Sequence, residues 1–573
     1  MYIWIVICGG FFSFISAMGI GANDVANSFA TSIGSKALTI KQAVFLACIF
    51  ETSGAILMGS HVSETIRKGI ADYECFQDEP YTLMYGCMWV CFSVALWLFT
   101  ASYFEMPVST THSCIGGMIG MTIAIKGVNC VIWYKSIDTF PYIGGVSGMV
   151  ISWLISPLLS GLISSLLYVL TRKYILRKKY ETKNIFYAFP LLIGITISLN
   201  AFFIFYKGAK GIGLHNTPIE IVLSVSLGIG FLSGLIIIPL LYIINKKIEK
   251  KNNISLNILE NNYDITNTNT NSNTNMKNDR YLISITFNLN NTYTYIYSDN
   301  TSVVSHYMLG NPNNLIITNV NITNDCNNIN NTNDTNDTND TNINNINNIN
   351  DKTKNNNFIS KIMDININEL DQIDDKDKKI VDIIHNNAEI FDSRIEEFFK
   401  YLQIFSASCA SFSHGANDVA NAIGPFIAIY TIYLEGDVTK NSVMDNNAYW
   451  ILSFGGIGIS IGLLLYGYKI MRAIGIKLCK ITPSRGTIIE LSAALVTILG
   501  TRLSIPLSTT HCQIGATVGV GLLETSWKKN IQGININILY KIIFGWIITC
   551  IFVAIITGIL TAQGIYSPSL INI

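Results

Sequence analysis

The stretch Gly21-Ala22-Asn23-Asp24-Val25-Ala26-Asn27 occurs a second time, unchanged, as Gly415-Ala416-Asn417-Asp418-Val419-Ala420-Asn421. A second motif follows each copy: Pro107-Val108-Ser109-Thr110-Thr111-His112 returns as Pro506-Leu507-Ser508-Thr509-Thr510-His511. The spacing is nearly conserved, 83 residues from Asp24 to Pro107 and 88 from Asp418 to Pro506. A seven-residue identity with several polar positions does not arise from apolar composition alone. The chain is therefore an internal duplication.

Working outward, both copies sit among long apolar runs. Half of the 573 residues are hydrophobic and only 13% are charged, about half the charged share of a soluble domain. Apolar segments fall near 2–20, 40–60, 82–104, 107–125, 142–171, 185–206, 219–245, 403–433, 448–470, 485–504, 508–524 and 540–563, twelve candidate spans of a length that crosses a bilayer core. The first begins at Ile3 with no basic stretch before it and no convincing cleavage site, so it reads as a retained membrane helix. The expected fold is an all-α integral membrane protein.

Lys and Arg orient the spans, because they gather on cytoplasmic loops. Arg172, Lys173, Arg177, Lys178 and Lys179 follow span five, and Lys246, Lys247, Lys250 and Lys251 follow span seven. Arg472, Lys477, Lys480 and Arg485 lie between spans nine and ten, and Lys528 and Lys529 follow span eleven. One topology satisfies all four clusters, with both termini outside. The acidic loop with Asp72, Glu74, Asp78 and Glu79 then falls outside too. Cys75 and Cys130 also lie in outer loops, where they can pair; the twelve cysteines include no CxxC motif that would suggest a zinc cage. Spans one and eight are an odd number of crossings apart, so the repeats are inverted. In transporters of that architecture the substrate site lies at the repeat interface, near the midplane.

Three regions follow: 1–245 with the first repeat and about seven spans, an Asn-rich cytoplasmic tract at 246–397, and 398–573 with the second repeat and about five spans. The tract, with repeats such as Thr332-Asn333-Asp334 and Thr335-Asn336-Asp337, holds too few core-forming residues to offset its ordering entropy. It reads as mostly disordered, and deleting residues 260–370 should leave transport largely intact. Within it, Tyr281–Tyr307 alternates apolar and polar residues, a pattern open to a hairpin or a solvated coil. Ile380, Ile383, Ile384, Phe391, Ile395 and Phe398 recur at near-helical spacing and read as an amphipathic helix along the cytoplasmic face.

The motifs carry the chemistry. An Asp at the centre of a membrane helix costs on the order of 3 kcal/mol, so Asp24 and Asp418 need partners or a polar cavity. Their neighbours Asn23, Asn27, Asn417 and Asn421 supply amide oxygens, and adjacent Gly and Ala residues allow a break that frees carbonyls. Such an oxygen set suits a hard cation such as sodium, expected at Asp24, Asn27, Asp418 and Asn421. Glu51 and Glu490 read as further coordinating or coupling carboxylates. Their local sequences look related, yet they fall on spans two and ten, at different places in the two halves.

The Pro-x-Ser-Thr-Thr-His motif reads as a helix start, whose free N–H groups and dipole attract anions. Two facing copies could surround a tetrahedral oxyanion through Ser109, Thr110, Thr111, Ser508, Thr509 and Thr510. No Lys or Arg lies within either motif, although Arg502 is close. Bound cations would then neutralise the anion, a physical reason for cotransport. His112 and His511 read as orienting residues rather than proton carriers, and Glu105 as interfacial.

These residues resemble the PiT family of inorganic phosphate transporters, which includes the sodium-dependent phosphate transporters also known as retroviral receptors. The resemblance covers 1–245 and 400–573. It implies a twelve-span inverted repeat, outer termini, a long cytoplasmic loop between spans seven and eight, and inorganic phosphate as substrate. It further implies that Asp24, Glu51, Asp418 and Glu490 matter for transport and that the six hydroxyl residues form the phosphate cradle. Coupling ions differ within the family, and sodium is expected here over a proton, as a cosubstrate rather than a cofactor.

The zero formal net charge excludes a basic nucleic-acid surface. An enzyme needs distinct acid, base and electrophile groups, whereas this chain offers two near-copies, which disfavours a membrane metalloenzyme built on His112 and His511. An anion channel is disfavoured because buried carboxylates would repel the permeant ion. The reading leaves room for other tetrahedral anions and for a homodimer, and it places the protein in the surface membrane.

Overall fold

A computed structural model describes residues 2–138, 142–178, 182–205, 217–270, 282–288, 292–299, 302–309, 375–438, 449–503, 505, 507–525 and 533–567. For Asn27, Arg502 and certain other positions it describes backbone only. Pro506, Lys528, Lys529 and the Thr332–Asp337 repeats lie outside the described residues.

Each of the twelve apolar segments falls on a helix. The first region contains α1 (Ile3–Ile20), α2 (Ala26–Gly34), α3 (Ile40–Gly69), α4 (Pro80–Tyr103), α5 (Thr110–Lys126), α6 (Gly145–Thr171), α7 (Thr182–Phe205) and α8 (Ile219–Thr270). After α9 (Asp375–Asn387), the second contains α10 (Ser393–Glu435), α11 (Tyr449–Tyr466), α12 (Tyr468–Arg472), α13 (Pro483–Arg502), α14 (Thr509–Glu524) and α15 (Ile536–Tyr566). Among the described residues seven helices are long and apolar enough to cross a membrane, or eight if α11 and the bent segment after it, 66° apart, are one span. The first polar motif falls at the end of one that passes, Ile3–Val25, whereas the helices of the second copy and of both Pro-x-Ser-Thr-Thr-His motifs fall short. Helices α5 and α14 are short, with 17 and 16 residues, while α10 and α13 carry Asn417, Asp418, Asn421, Arg485 and Glu490. Much of the site is thus built on helices that would insert poorly alone.

The duplication is visible in the packing. Helix α3 packs on α10 as α11 packs on α1, and α5 packs on α15 as α14 packs on α6. Glycine sets the closest approaches. A Cβ on Gly21 would lie 1.8 Å from the Ile459 carbonyl oxygen, and one on Gly415 2.1 Å from that of Glu51. The first polar motif does not unwind. In the first copy one π-helical turn, Gly21–Val25, widens the junction of α1 and α2; in the second, α10 runs straight through.

At one end of the bundle Cys75 and Cys130 form a disulfide, with Cα atoms 6.2 Å apart. Close by, β1 (Lys135–Ser136) pairs antiparallel with β2 (Ile143–Gly144). The opposite end is the basic face. There Arg485, 1% exposed, meets Glu524 at 3.1 Å, the Tyr168 hydroxyl at 3.1 Å and the Glu389 carbonyl at 2.8 Å. The Arg177 guanidinium grips both Glu389 carboxylate oxygens, at 2.8 and 2.9 Å.

The amphipathic pattern resolves into two helices rather than one. Asp392 caps α10 by accepting from the Arg394 N–H at 2.9 Å, an N-cap that starts a new helix. Ile384, Phe391, Ile395 and Phe398 are buried, while Ile383 is exposed. Residues 243–357 form a unit of their own. In it the alternating stretch builds three strands, β3 (Leu282–Asn288), β4 (Thr292–Asp299) and β5 (Ser302–Leu309), each antiparallel to the next; the pattern extends one strand beyond a hairpin.

His385 of α9 docks its Nε2 on the Ile476 carbonyl at 3.1 Å. Burial, and then the Lys480 charge, push its pKa down to about 4. The neutral ring is what docks, so this anchor is fully present above the ordinary histidine value and fades as pH falls through about 4. The protection of the amides of 375–392, measured against the intrinsic exchange rate at each pH, should therefore fall on acidification from pH about 6.5 towards 4, and His385→Gln should flatten that dependence.

Candidate functional site

Helices α5 and α14 begin in the interior, start facing start. Ser109 and Ser508 are their N-caps, each hydroxyl accepting from the N–H three residues on, that of His112 or His511, at 3.2 Å. The starts are cross-tied: the Thr111 hydroxyl donates to the Leu507 carbonyl at 2.9 Å and that of Thr510 to the Val108 carbonyl at 3.1 Å. The asparagines hold the turns before them. Asn23 accepts from the Val108 N–H at 2.9 Å and donates to the Met106 carbonyl at 3.0 Å, and Asn417 donates to the Leu507 carbonyl at 2.8 Å. In this structure, then, Asn23 and Asn417 are props for the helix starts.

Asp24 and Asp418, 1% and 0% exposed, converge beneath those starts and share partners. The Thr110 hydroxyl lies 2.8 Å from Asp24 and 3.1 Å from Asp418. That of Thr509 lies 3.2 Å from Asp24 and 2.5 Å from Asp418. Thr510 adds a bond to Asp24 at 2.5 Å, and Asn421 one to Asp418 at 2.6 Å. The arrangement crosses the repeats: each aspartate is bonded by the threonines of both halves. Two carboxylates with hydroxyl and amide oxygens around them are the ligand set of a hard cation. The side chain of Asn27 lies outside the described residues. An adjoining cavity, lined by Asp24, Ser28, His414, Thr497, Thr509 and Gln513 among others, has about 10 Å³ of room, on the order of one water.

One central residue escaped the sequence reading. His414 stands 3.2 Å from Asp418, 4.0 Å from Asp24 and, through Nδ1, 2.8 Å from Glu51. It has no copy, because the residue four before Asp24 is Ile20, and a search for duplicated polar positions passes over it. Only its place one helical turn before Asp418 pointed to it.

The glutamates go to separate places. Glu51 joins the centre through His414 and accepts from Ser411 at 2.9 Å. Glu490 shares none of these partners; it accepts from Thr31 at 2.6 Å, Ser32 at 2.5 Å and Gln403 at 3.2 Å, and from Ser406. Packing explains their offset. A Cβ on Gly54 would meet the Phe412 carbonyl oxygen at 2.1 Å, and one on Gly462 the Met18 oxygen at 1.8 Å. Met18 and Phe412 each precede their motif aspartate by six residues, so Gly54 and Gly462 correspond. Glu51 then matches Ile459, three residues before Gly462. Likewise Ser102 and Thr501, which meet Asn23 and Asn417 at 3.0 and 3.4 Å, each lie eleven residues after Cys91 and Glu490. Both glutamates replace an apolar residue of the other repeat.

His112 and His511 meet at the pseudo-two-fold axis, ring centroids 4.6 Å apart. Each Nδ1 reaches a tryptophan carbonyl, of Trp546 at 3.1 Å and Trp153 at 2.9 Å. Each ring also packs on the other tryptophan, at 3.7 Å. They orient the helix starts, as expected.

A profile of the Phosphate transporter family matches residues 20–557. The chain belongs to that family. It is 30% identical to the phosphate-repressible phosphate permease pho-4 of Neurospora crassa, over 99% of this chain and 98% of that one. It is 29% identical to sodium-dependent phosphate transporter 1 of Mus musculus, over 98% and 95%. A solved structure described as the sodium-dependent phosphate transporter superimposes with a TM-score of 0.64 at 25% identity, covering 98% of this chain and all of that one. This member of the family is a multi-pass membrane protein and a transporter rather than an enzyme.

Replacing Asn23 by Ala leaves the Val108 N–H without its acceptor, at a cost of about 1–3 kcal/mol. Asn23→Ala should unfold at lower temperature in detergent and lose more stability than Ser147→Ala, a half-buried hydroxyl remote from the motifs.

Proposed function

We propose that the protein imports inorganic phosphate together with sodium, by alternating access about the interior site. The observation that carries this reading is the sharing of threonine hydroxyls between Asp24 and Asp418 directly beneath two facing helix N-termini. Sodium would sit at Asp24, Asn27, Asp418 and Asn421, with Glu51 and Glu490 holding or coupling further ions. Phosphate would take the N–H groups of the helix starts together with Ser109, Thr110, Thr111, Ser508, Thr509 and Thr510.

Coupling follows from hydroxyl accounting. A threonine has one proton to donate; here Thr110 and Thr509 direct theirs at carboxylates, and Thr510 has Asp24 and the Val108 carbonyl to choose between. A cation on those carboxylates replaces the bonds and turns the hydroxyls over to an anion. The same cation neutralises phosphate, which at this depth lacks a Lys or Arg among its proposed ligands. The cavity has room for about one water, so admitting phosphate requires its walls, including Ala493, Ala494 and Thr497 of α13, to move outward. The basic face is cytoplasmic on this reading and the disulfide face external, in the cell membrane, where oxidising conditions favour such a bond.

Proton coupling is a second reading, favoured by one observation: His414 lies within reach of three carboxylates.

Uptake of radioactive phosphate into proteoliposomes decides between them. A sodium gradient should drive uptake in the wild type, and Asp24→Asn should abolish it, along with any stabilisation of the purified protein by sodium. Uptake driven by a proton gradient alone would overturn sodium coupling, and no phosphate uptake would overturn the substrate. In a double-mutant cycle Glu51→Gln and Asp418→Asn should be strongly non-additive for sodium binding, whereas Glu490→Gln and Asp418→Asn should add.

A further inference from the structure

Between α4 and α5 the chain turns sharply, and Glu105 sits in that turn with φ of 56°, a left-handed backbone rare outside glycine. Its carboxylate is held by two cations of the other repeat. One oxygen meets the Arg472 guanidinium, and the second lies 3.1 Å from the Lys477 ammonium. The Arg472 and Lys477 side chains are only 13% and 6% exposed, against 25% for Glu105. Burial would raise the Glu105 carboxyl, but hydrogen bonds from Arg472 and Lys477 outweigh it and hold it below the ordinary range. The pairing is therefore ionic at neutral pH.

The place of this cluster matters. Glu105 lies four residues before the cap Ser109. Arg472 ends α12, and Lys477 belongs to the π-helical segment Ala473–Leu478, which packs on α2 just beyond Asp24. A Cβ on Gly475 would be 2.3 Å from the Ala30 carbonyl oxygen, and one on Gly34 2.2 Å from that of Gly475. The cluster thus lies on the basic-face side of the central site and joins the turn of one repeat to the connector of the other. It is one-sided, because the residue matching Glu105, four before Ser508, is Ser504.

An arginine fork beside a lysine ammonium is chemistry for an oxyanion, and each carboxylate oxygen stands where one oxygen of a phosphate could. We propose that Arg472 and Lys477 form a second oxyanion site on the way to the basic face, and that the Glu105 carboxylate occupies it as a built-in surrogate for departing phosphate. The proposal rests on the reading of the protein as a phosphate symporter. While Glu105 is in place the two repeats are pinned together and the exit is closed. Phosphate leaving the central site displaces the carboxylate, and the strained turn favours its release. Return of Glu105 expels the anion and closes the face again.

The test is phosphate exchange in oriented proteoliposomes, with the half-saturating phosphate concentration read separately at the two faces. Glu105→Gln removes the competing charge and should lower that concentration at the basic face by about three- to tenfold, the worth of roughly one partly buried charge contact. The value at the disulfide face should not change. Lys477→Met should raise the basic-face value in the otherwise native chain, and this variant decides the matter if Glu105→Gln does not fold. Equal shifts at both faces, or no shift in the variant that folds, would overturn the second site. Wild-type protein that exchanges no phosphate at all would instead overturn the symporter reading on which it rests.

Discussion

Two buried carboxylates, Asp24 and Asp418, share hydroxyl partners in a place without room for bulk water. Carboxylates at membrane depth are expensive, and two that approach one another repel. The surrounding architecture answers that problem. Two helices start inside the protein so that their hydroxyls can point at the aspartates. Two asparagines anchor the turns that lead into those starts, and glycine at the motif lets helix backbones come close enough to bring both carboxylates together. Removing any one of these supports leaves a buried charge without compensation, the circumstance in which single substitutions cost most.

The duplication makes this economical. Two motifs, each used twice, supply both aspartates, both caps and both cross-ties, and the pseudo-two-fold axis through His112 and His511 brings them into register. A transporter that were fully symmetric would nevertheless behave alike towards both sides of the membrane. The departures from symmetry are correspondingly charged or titratable: Glu51 where the other repeat has Ile459, Glu490 where it has Cys91, His414 where it has Ile20, and Glu105 where it has Ser504. They surround the symmetric centre or flank it towards one face. Symmetry builds the site, and its exceptions distinguish the two sides.

The same division explains what could be read from the residues alone. The helical segments and the repeat were legible because hydropathy and exact recurrence are local properties of the chain, and Cys75 and Cys130 pair as their loops allowed. The pairing of Asp24 with Asp418 was implied by recurrence. What recurrence could not show were residues present once. His414 was overlooked for that reason, and Glu51 and Glu490 were grouped by similar neighbours although their packing sets them apart. The break between α9 and α10 was hidden because buried positions on both sides of it happen to keep a helical period. The basic-face cluster joins Arg485 to Glu524, Glu389 and Tyr168, which lie 39, 96 and 317 positions away, and no local pattern encodes it.

The hydroxyls also reframe how a phosphate cradle and a cation site can occupy one place. Read from the sequence, the threonines belong to the anion and the aspartates to the cation. In the structure the same threonines are bonded to the aspartates, so the two sets are a single network with a limited number of protons. Thr110 and Thr509 each lie within reach of both carboxylates but can donate to only one acceptor at a time. A network of this kind has several arrangements of nearly equal hydrogen-bond count, and a bound cation or anion selects among them. On the proposed symport reading, coupling needs no long pathway between separate sites. It follows from one set of hydroxyl protons that cannot serve the carboxylates and an oxyanion at once.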